Sequence, residues 1–95
     1  MSYEIYWDKY KIMQIEKVGK KYIAILDRNN FLLAINEGMP SFVLSNIKIV
    51  NYKLPGLIIN RVPLNNRFNE KDFISYVKRT NCMYNTDKFS IQIID

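Results

Sequence analysis

The chain has no histidine and one cysteine, Cys82, among its 95 residues. Histidine is the side chain whose ordinary pKa suits proton transfer near neutrality, and His with Cys supplies the usual zinc and copper ligands. Without them, nucleophilic triads, histidine acid–base sites and His/Cys zinc sites fall away. The expectation is a protein with no catalytic or metal-ligating residues and no cofactor, whose stability and activity chelators leave unchanged. A lone cysteine closes no intramolecular disulfide, so the core must hold the fold unaided, as in reducing compartments. Glycine and proline are sparse, three of each, and no phosphate-cradling glycine loop, dinucleotide fingerprint or calcium loop occurs. No apolar run approaches the roughly 18 residues of a membrane span. The opening residues, Met1 to Asp8, lack the basic start and apolar core of a signal peptide. A soluble cytoplasmic protein with no membrane partner is expected.

What is present is enough for a core. Hydrophobic residues make up 48% of the chain and charged residues only 24%, a balance that argues against disorder. The 11.3 kDa chain reads as one domain over residues 1–95, without linker or repeat. A net charge of +5 and a pI of 9.4 are compatible with a nucleic-acid or acidic protein partner and incompatible with a DNA mimic. Lysine also serves simply to keep β proteins unaggregated. Ile, Lys, Asn, Tyr and Phe are abundant and Ala, Gly and Pro scarce, a bias toward AT-rich codons found in low-GC bacteria, their phages and mobile elements.

Apolar spacing is mainly period two. Tyr3, Ile5 and Trp7 alternate with Glu4 and Tyr6 as a short strand. Residues 10–18 hold no single phase, and read either as a bulged strand or as a helix capped by Asp8; Gly19-Lys20 then supplies a turn, which favours the strand. Residues 22–27 and 31–36 are apolar on both faces, which predicts adjacent central strands joined by a turn at Arg28-Asn29-Asn30. On that placement, Leu33→Asp buries an unpaired charge and destabilises strongly. A break at residues 37–40 precedes a further strand over 42–52, bulged near Asn46. Pro55-Gly56 reads as a type II turn before a strand over 57–62. Asn69, as N-cap, opens a helix over about 70–81, with acidic residues in its first turn and Lys78 and Arg79 in its last. Phe89, Ile91 and Ile93 form a closing strand. The fold class is α+β: an antiparallel sheet of five to seven strands with one late helix on a face.

Two groups of residues are candidate binding sites. Arg61, Asn65, Arg67 and Lys71, extended by Lys78 and Arg79, concentrate forked cations and amides around a polar loop. Tyr3, Tyr6, Trp7 and Tyr10 are interleaved with Lys9 and Lys11, a pattern that suits base stacking or a protein hot spot; core filling is the competing use of such aromatics. Cys82, with no histidine to deprotonate it, is expected to be a small buried residue. Glu70 and Asp72 lie two apart on a helix, point to different sides and are better explained as dipole partners than as a metal pair.

By subtraction, the leading expectation is a non-catalytic inhibitor or adaptor that binds a protein, such as an anti-defence, anti-CRISPR-like protein of a phage or mobile element. Its partner would be a protein, for example one within a nucleic-acid-handling host complex. The alternative is a basic, aromatic nucleic-acid-binding module. A metal-independent ribonuclease of the toxin type, using Tyr84 with Arg67 or Arg79, is the third reading.

Overall fold

A computed structural model describes residues 1–40, 52–84 and 86–95. The alternating segments form four strands: β1 (Ser2–Trp7), β2 (Tyr10–Val18), β3 (Lys21–Leu26) and β4 (Phe89–Ile94). They make one antiparallel sheet in the order β3-β2-β1-β4. Both hairpin turns put a positive φ at the first of two central residues, Asp8 (54°) and Gly19 (62°). Glycine reaches that region without strain, and aspartate tolerates it better than most residues. Asp8 is therefore a turn residue, and residues 10–18 are the bulged strand.

The bulge lies at Ile12. Ile5 pairs with Met13 but Tyr6 pairs with Lys11, so the extra residue breaks strict alternation and lets Ile12 and Met13 both be buried. It also frees two carbonyls: Ile12 accepts the Asp27 N–H (2.9 Å) and Lys11 accepts the Asn30 side-chain amide (2.9 Å). Those bonds seat α1 (Arg28–Asn36).

That helix replaces the strand expected over 31–36. Asp27 is its N-cap, its side chain accepting the Asn30 N–H at 3.0 Å, so Arg28-Asn29-Asn30 is a first helical turn rather than a hairpin. Phe31 and Ala34 are buried at helical spacing, while Leu32 and Leu33 are exposed. Leu33→Asp therefore buries no charge. The helix ends in a Schellman motif, Met39 N–H to Ala34 carbonyl and Gly38 N–H to Ile35 carbonyl, with Gly38 at φ 115°.

β3 is consequently not central. It is the edge strand of the described sheet, turning Tyr22, Ala24 and Leu26 inward and leaving Ile23 and Ile25 exposed. The centre is β1 and β2. The segment read as a turn and strand over 55–62 is instead a short helix, α2 (Gly56–Ile59), begun by Pro55, followed by a 3₁₀ turn (Leu64–Asn66). Pro55 fits here because its fixed φ and missing N–H cost nothing ahead of a first turn. The strand expected over 42–52 lies, apart from Tyr52, outside the described residues. Among the described residues the sheet thus has four strands and the chain three α-helices.

The late helix is α3 (Glu70–Thr80). Asn69 caps it, accepting the Lys71 and Asp72 N–H groups, and Asn81 ends it in the left-handed region at φ 53°. Its Val77, with Phe31 and Ala34 of α1 and Ile58 of α2, packs on Tyr3, Ile5, Trp7, Ile15, Phe89 and Ile91 of the sheet in one core.

Candidate functional site

Arg61 follows α2 and is buried, 7% exposed. Its Nη1 donates to the Cys82 carbonyl at 2.8 Å and its Nη2 pairs with Asp87. The guanidinium lies 4.4 Å from the Tyr84 ring centre and 5.3 Å from that of Phe89. Asp87 in turn accepts the Phe89 N–H at 3.1 Å. Arg61 is thus a clamp joining the loop over 60–69 to Cys82 and Asp87, and both of its outer nitrogens are used inside the protein.

The rest of that predicted group is spread out. Asn65 is exposed. Arg67 is half-buried, and its Nε donates to the Val62 carbonyl at 2.6 Å. Lys71 is exposed in the first turn of α3. Lys78 and Arg79 lie about two turns further along, Lys78 paired with Asp95 at 2.8 Å and Arg79 against the Tyr76 ring at 5.6 Å. The Lys78 ammonium holds the Asp95 carboxyl below its ordinary range.

Strand alternation divides the N-terminal group. Tyr3 and Trp7 are buried on the core face, whereas Tyr6 belongs to the opposite face with Glu4. Glu4 accepts the Tyr6 hydroxyl at 3.1 Å and pairs with Lys11 at 2.7 Å. The Lys11 contact lowers the Glu4 pKa, and the same bond raises that of Lys11. Tyr10 donates to Glu37 at 2.7 Å, while Lys9 lies 5.3 Å from the Tyr10 ring. These residues anchor the sheet more than they form one stacking platform.

Sequence reasoning missed a cleft of about 440 Å³ between the β2–β3 hairpin and the start of α3. Tyr3, Leu54, Ile59 and Phe73 give it an apolar base, and Tyr22 and Tyr52 add ring surface. Lys17, Lys20, Lys53 and Arg67 bring cations, against one carboxylate, Glu70, which pairs with Lys17. Arg67 and Tyr3 are the members of the two predicted groups that meet there. The hairpin carried a usable signal: a turn at Gly19-Lys20 makes Lys17 and Tyr22 cross-strand partners. Nothing local announced that Lys53 and Arg67 would join them.

The two clamped loops also expose large apolar side chains: Leu64 (68% exposed), Phe68 (85%) and Met83 (65%), which sequence reasoning missed, and Tyr84 (44%), which it named only for the ribonuclease reading.

Cys82 is buried, and burial pushes its thiol pKa up to about 11 against a small opposing pull from Arg61. It is a protonated packing residue at neutral pH. Among the described residues, no three His, Cys, Asp or Glu side chains converge as metal ligands, and no helix is long and apolar enough to cross a membrane. Comparison of the chain with protein-family models, curated proteins and solved structures found no match.

Proposed function

We propose that the protein is a non-catalytic inhibitor or adaptor that binds another protein and occludes its surface, in the manner of a phage or mobile-element anti-defence protein acting in the host cytoplasm. The observation that carries this reading is the pair of loops clamped by Arg61. They expose Leu64, Phe68, Met83 and Tyr84 beside Arg67 and Asn65, on backbone already fixed by the Arg61 network and the Asn69 cap.

An exposed phenylalanine forgoes about 1.5–3 kcal/mol of burial, a gain that a partner's pocket would restore. Fixing the loop beforehand lowers the ordering cost of association. Aromatics and arginine are enriched in hot spots, and a nucleic-acid surface needs cations more than it needs exposed leucine and methionine.

The test is capture from a bacterial host lysate by wild type and by Phe68→Ser and Leu64→Ser variants, with nuclease treatment and a salt series. A stoichiometric protein partner, retained after nuclease and lost in the Phe68 variant, is the expected result. With a purified partner, Phe68→Ala and Arg67→Ala should each cost on the order of 1–3 kcal/mol of affinity. A partner still held by the Phe68→Ser, Leu64→Ser double variant would overturn this surface, and capture abolished by nuclease would overturn the protein partner.

A further inference from the structure

The cleft at the β2–β3 hairpin shares Arg67 with the proposed protein-binding surface but none of its exposed apolar residues: Leu64, Phe68, Met83 and Tyr84 do not line it. We propose that it binds a nucleotide, with the base against the tyrosine side chains and the phosphate among Lys20, Lys53 and Arg67.

Charge and shape argue jointly. Lys17 is neutralised by Glu70, but Lys20, Lys53 and Arg67 make no ion pair among the described residues. Three cations around one concavity repel each other, and an anion carrying more than one charge relieves that repulsion. The cleft's volume of about 440 Å³ falls within the roughly 300–1,000 Å³ common for small-ligand sites. An inorganic anion would leave the base formed by Tyr3, Leu54 and Phe73 unfilled, and an apolar ligand would leave the three cations unmatched. A nucleotide joins a flat aromatic body to a compact polyvalent anion and so meets both demands.

The tyrosines are suited to that body. Tyr52 is 61% exposed, and the Lys21 ammonium lies 6.0 Å from its ring centre. Tyr22 is held edge-on to Tyr3, with centroids 6.5 Å apart at 61°. Stacking on such rings is tolerant of base identity, because every base has a π face. Arg67 is already oriented by its Nε bond to Val62, leaving the outer nitrogens of its fork for phosphate oxygens. The cleft therefore predicts affinity for nucleotides with weak discrimination between bases.

The experiment is an NMR titration of the isotopically labelled full chain with AMP and UMP, and with adenosine, uridine and inorganic phosphate in parallel. Saturable shifts at Lys20, Tyr22, Tyr52, Lys53 and Arg67 are expected for both nucleotides, with nucleosides and phosphate each weaker by on the order of tenfold. The double variant K20Q/K53Q changes two exposed side chains, keeps its fold by the same spectrum, and should lose on the order of tenfold or more in nucleotide affinity. Phe68→Ser should bind nucleotide as wild type does, which separates failure here from failure of the protein-binding surface. An oligonucleotide series identifies the source: affinity rising with length marks a single strand, and a flat series marks a free nucleotide. No saturable shift at millimolar nucleotide, phosphate binding as well as nucleotide (an adventitious ion only), or unchanged affinity in K20Q/K53Q would each overturn the proposal.

Discussion

Arg61 separates a structural role from a binding role with one substitution. Arg61→Ala removes the donor to the Cys82 carbonyl, the partner of Asp87 and the cation lying on Tyr84 and Phe89. Leaving a buried acceptor unpaired costs about 1–3 kcal/mol. Loss of the cation–π contacts adds about 0.5–2 kcal/mol. Asp87 is partly solvated, its side chain 31% exposed, so its stranded charge costs less than a fully buried one. The expected total is about 2–5 kcal/mol, a large share of the roughly 5–15 kcal/mol that holds a domain together. Arg61→Lys should recover only part of this, because a single ammonium cannot serve the carbonyl and the carboxylate in the geometry of the fork. Urea denaturation followed by near-ultraviolet circular dichroism and by fluorescence measures the loss. An Arg61→Ala protein within about 0.5 kcal/mol of wild type, the range of ordinary surface changes, would refute the clamp and return Arg61 to the list of surface binding residues.

Two further outcomes follow from burial. Leu33→Asp should cost no more than about 1 kcal/mol because the site is exposed, whereas Ala34→Asp, one residue on and fully buried, should cost more than about 3 kcal/mol or prevent folding; equal melting of the two would reject helix α1. For Cys82, the native thiol holds its proton up to about pH 11, against an ordinary value of 9.0, so unfolding releases a proton between those values. Stability from this group is complete below pH 9 and falls by about 2–3 kcal/mol as pH rises through 11, with burial of the Tyr3 hydroxyl acting in the same direction. Denaturation curves across that window check the slope, and a thiol reagent that labelled native protein as fast as urea-unfolded protein would contradict the burial.

The parts of the fold legible in the sequence are those where one local signal stands unopposed. Tyr3, Ile5 and Trp7 alternate cleanly, and so do Phe89, Ile91 and Ile93; both segments are strands, paired with each other along β1 and β4. Asn69 with Glu70 and Asp72 marks a helix start, and the structure begins α3 there. Residues 31–36 defeated the same reasoning because a short, continuous apolar run has no period of its own. Its identity rests on Asp27, which ends β3 and caps α1 in the same residue. Read as the last strand residue, Asp27 makes Arg28-Asn29-Asn30 a hairpin turn; read as a cap, it makes them helical. Its bond to the Asn30 N–H, together with the carbonyls freed by the Ile12 bulge, decides for the helix. A bulge was expected in β2, but its consequence for a helix docking beside it was not visible in one dimension.

The binding residues were harder to read for a different reason. A cation in sequence looks the same whether it meets solvent, a carboxylate or a carbonyl, and the fold assigns these fates separately. Arg61 was drawn into the interior by partners more than twenty residues away, Cys82 and Asp87, while Lys78 found Asp95 beyond the last strand. Arg67, six residues after Arg61 and just past the 3₁₀ turn, bonds through its Nε to the local Val62 carbonyl and lines the cleft. Lys20, Lys53 and Arg67 lack an ion pair among the described residues, as do Lys9, Lys21, Arg28, Lys71, Arg79 and Lys88, but these three line one cleft beside the hairpin and the start of α3. Concentration of charge along the chain therefore did not foretell which neighbours each cation of the predicted group would meet. Unpaired charge beside aromatic surface is a property only the folded chain has, and the proposed nucleotide cleft rests on it.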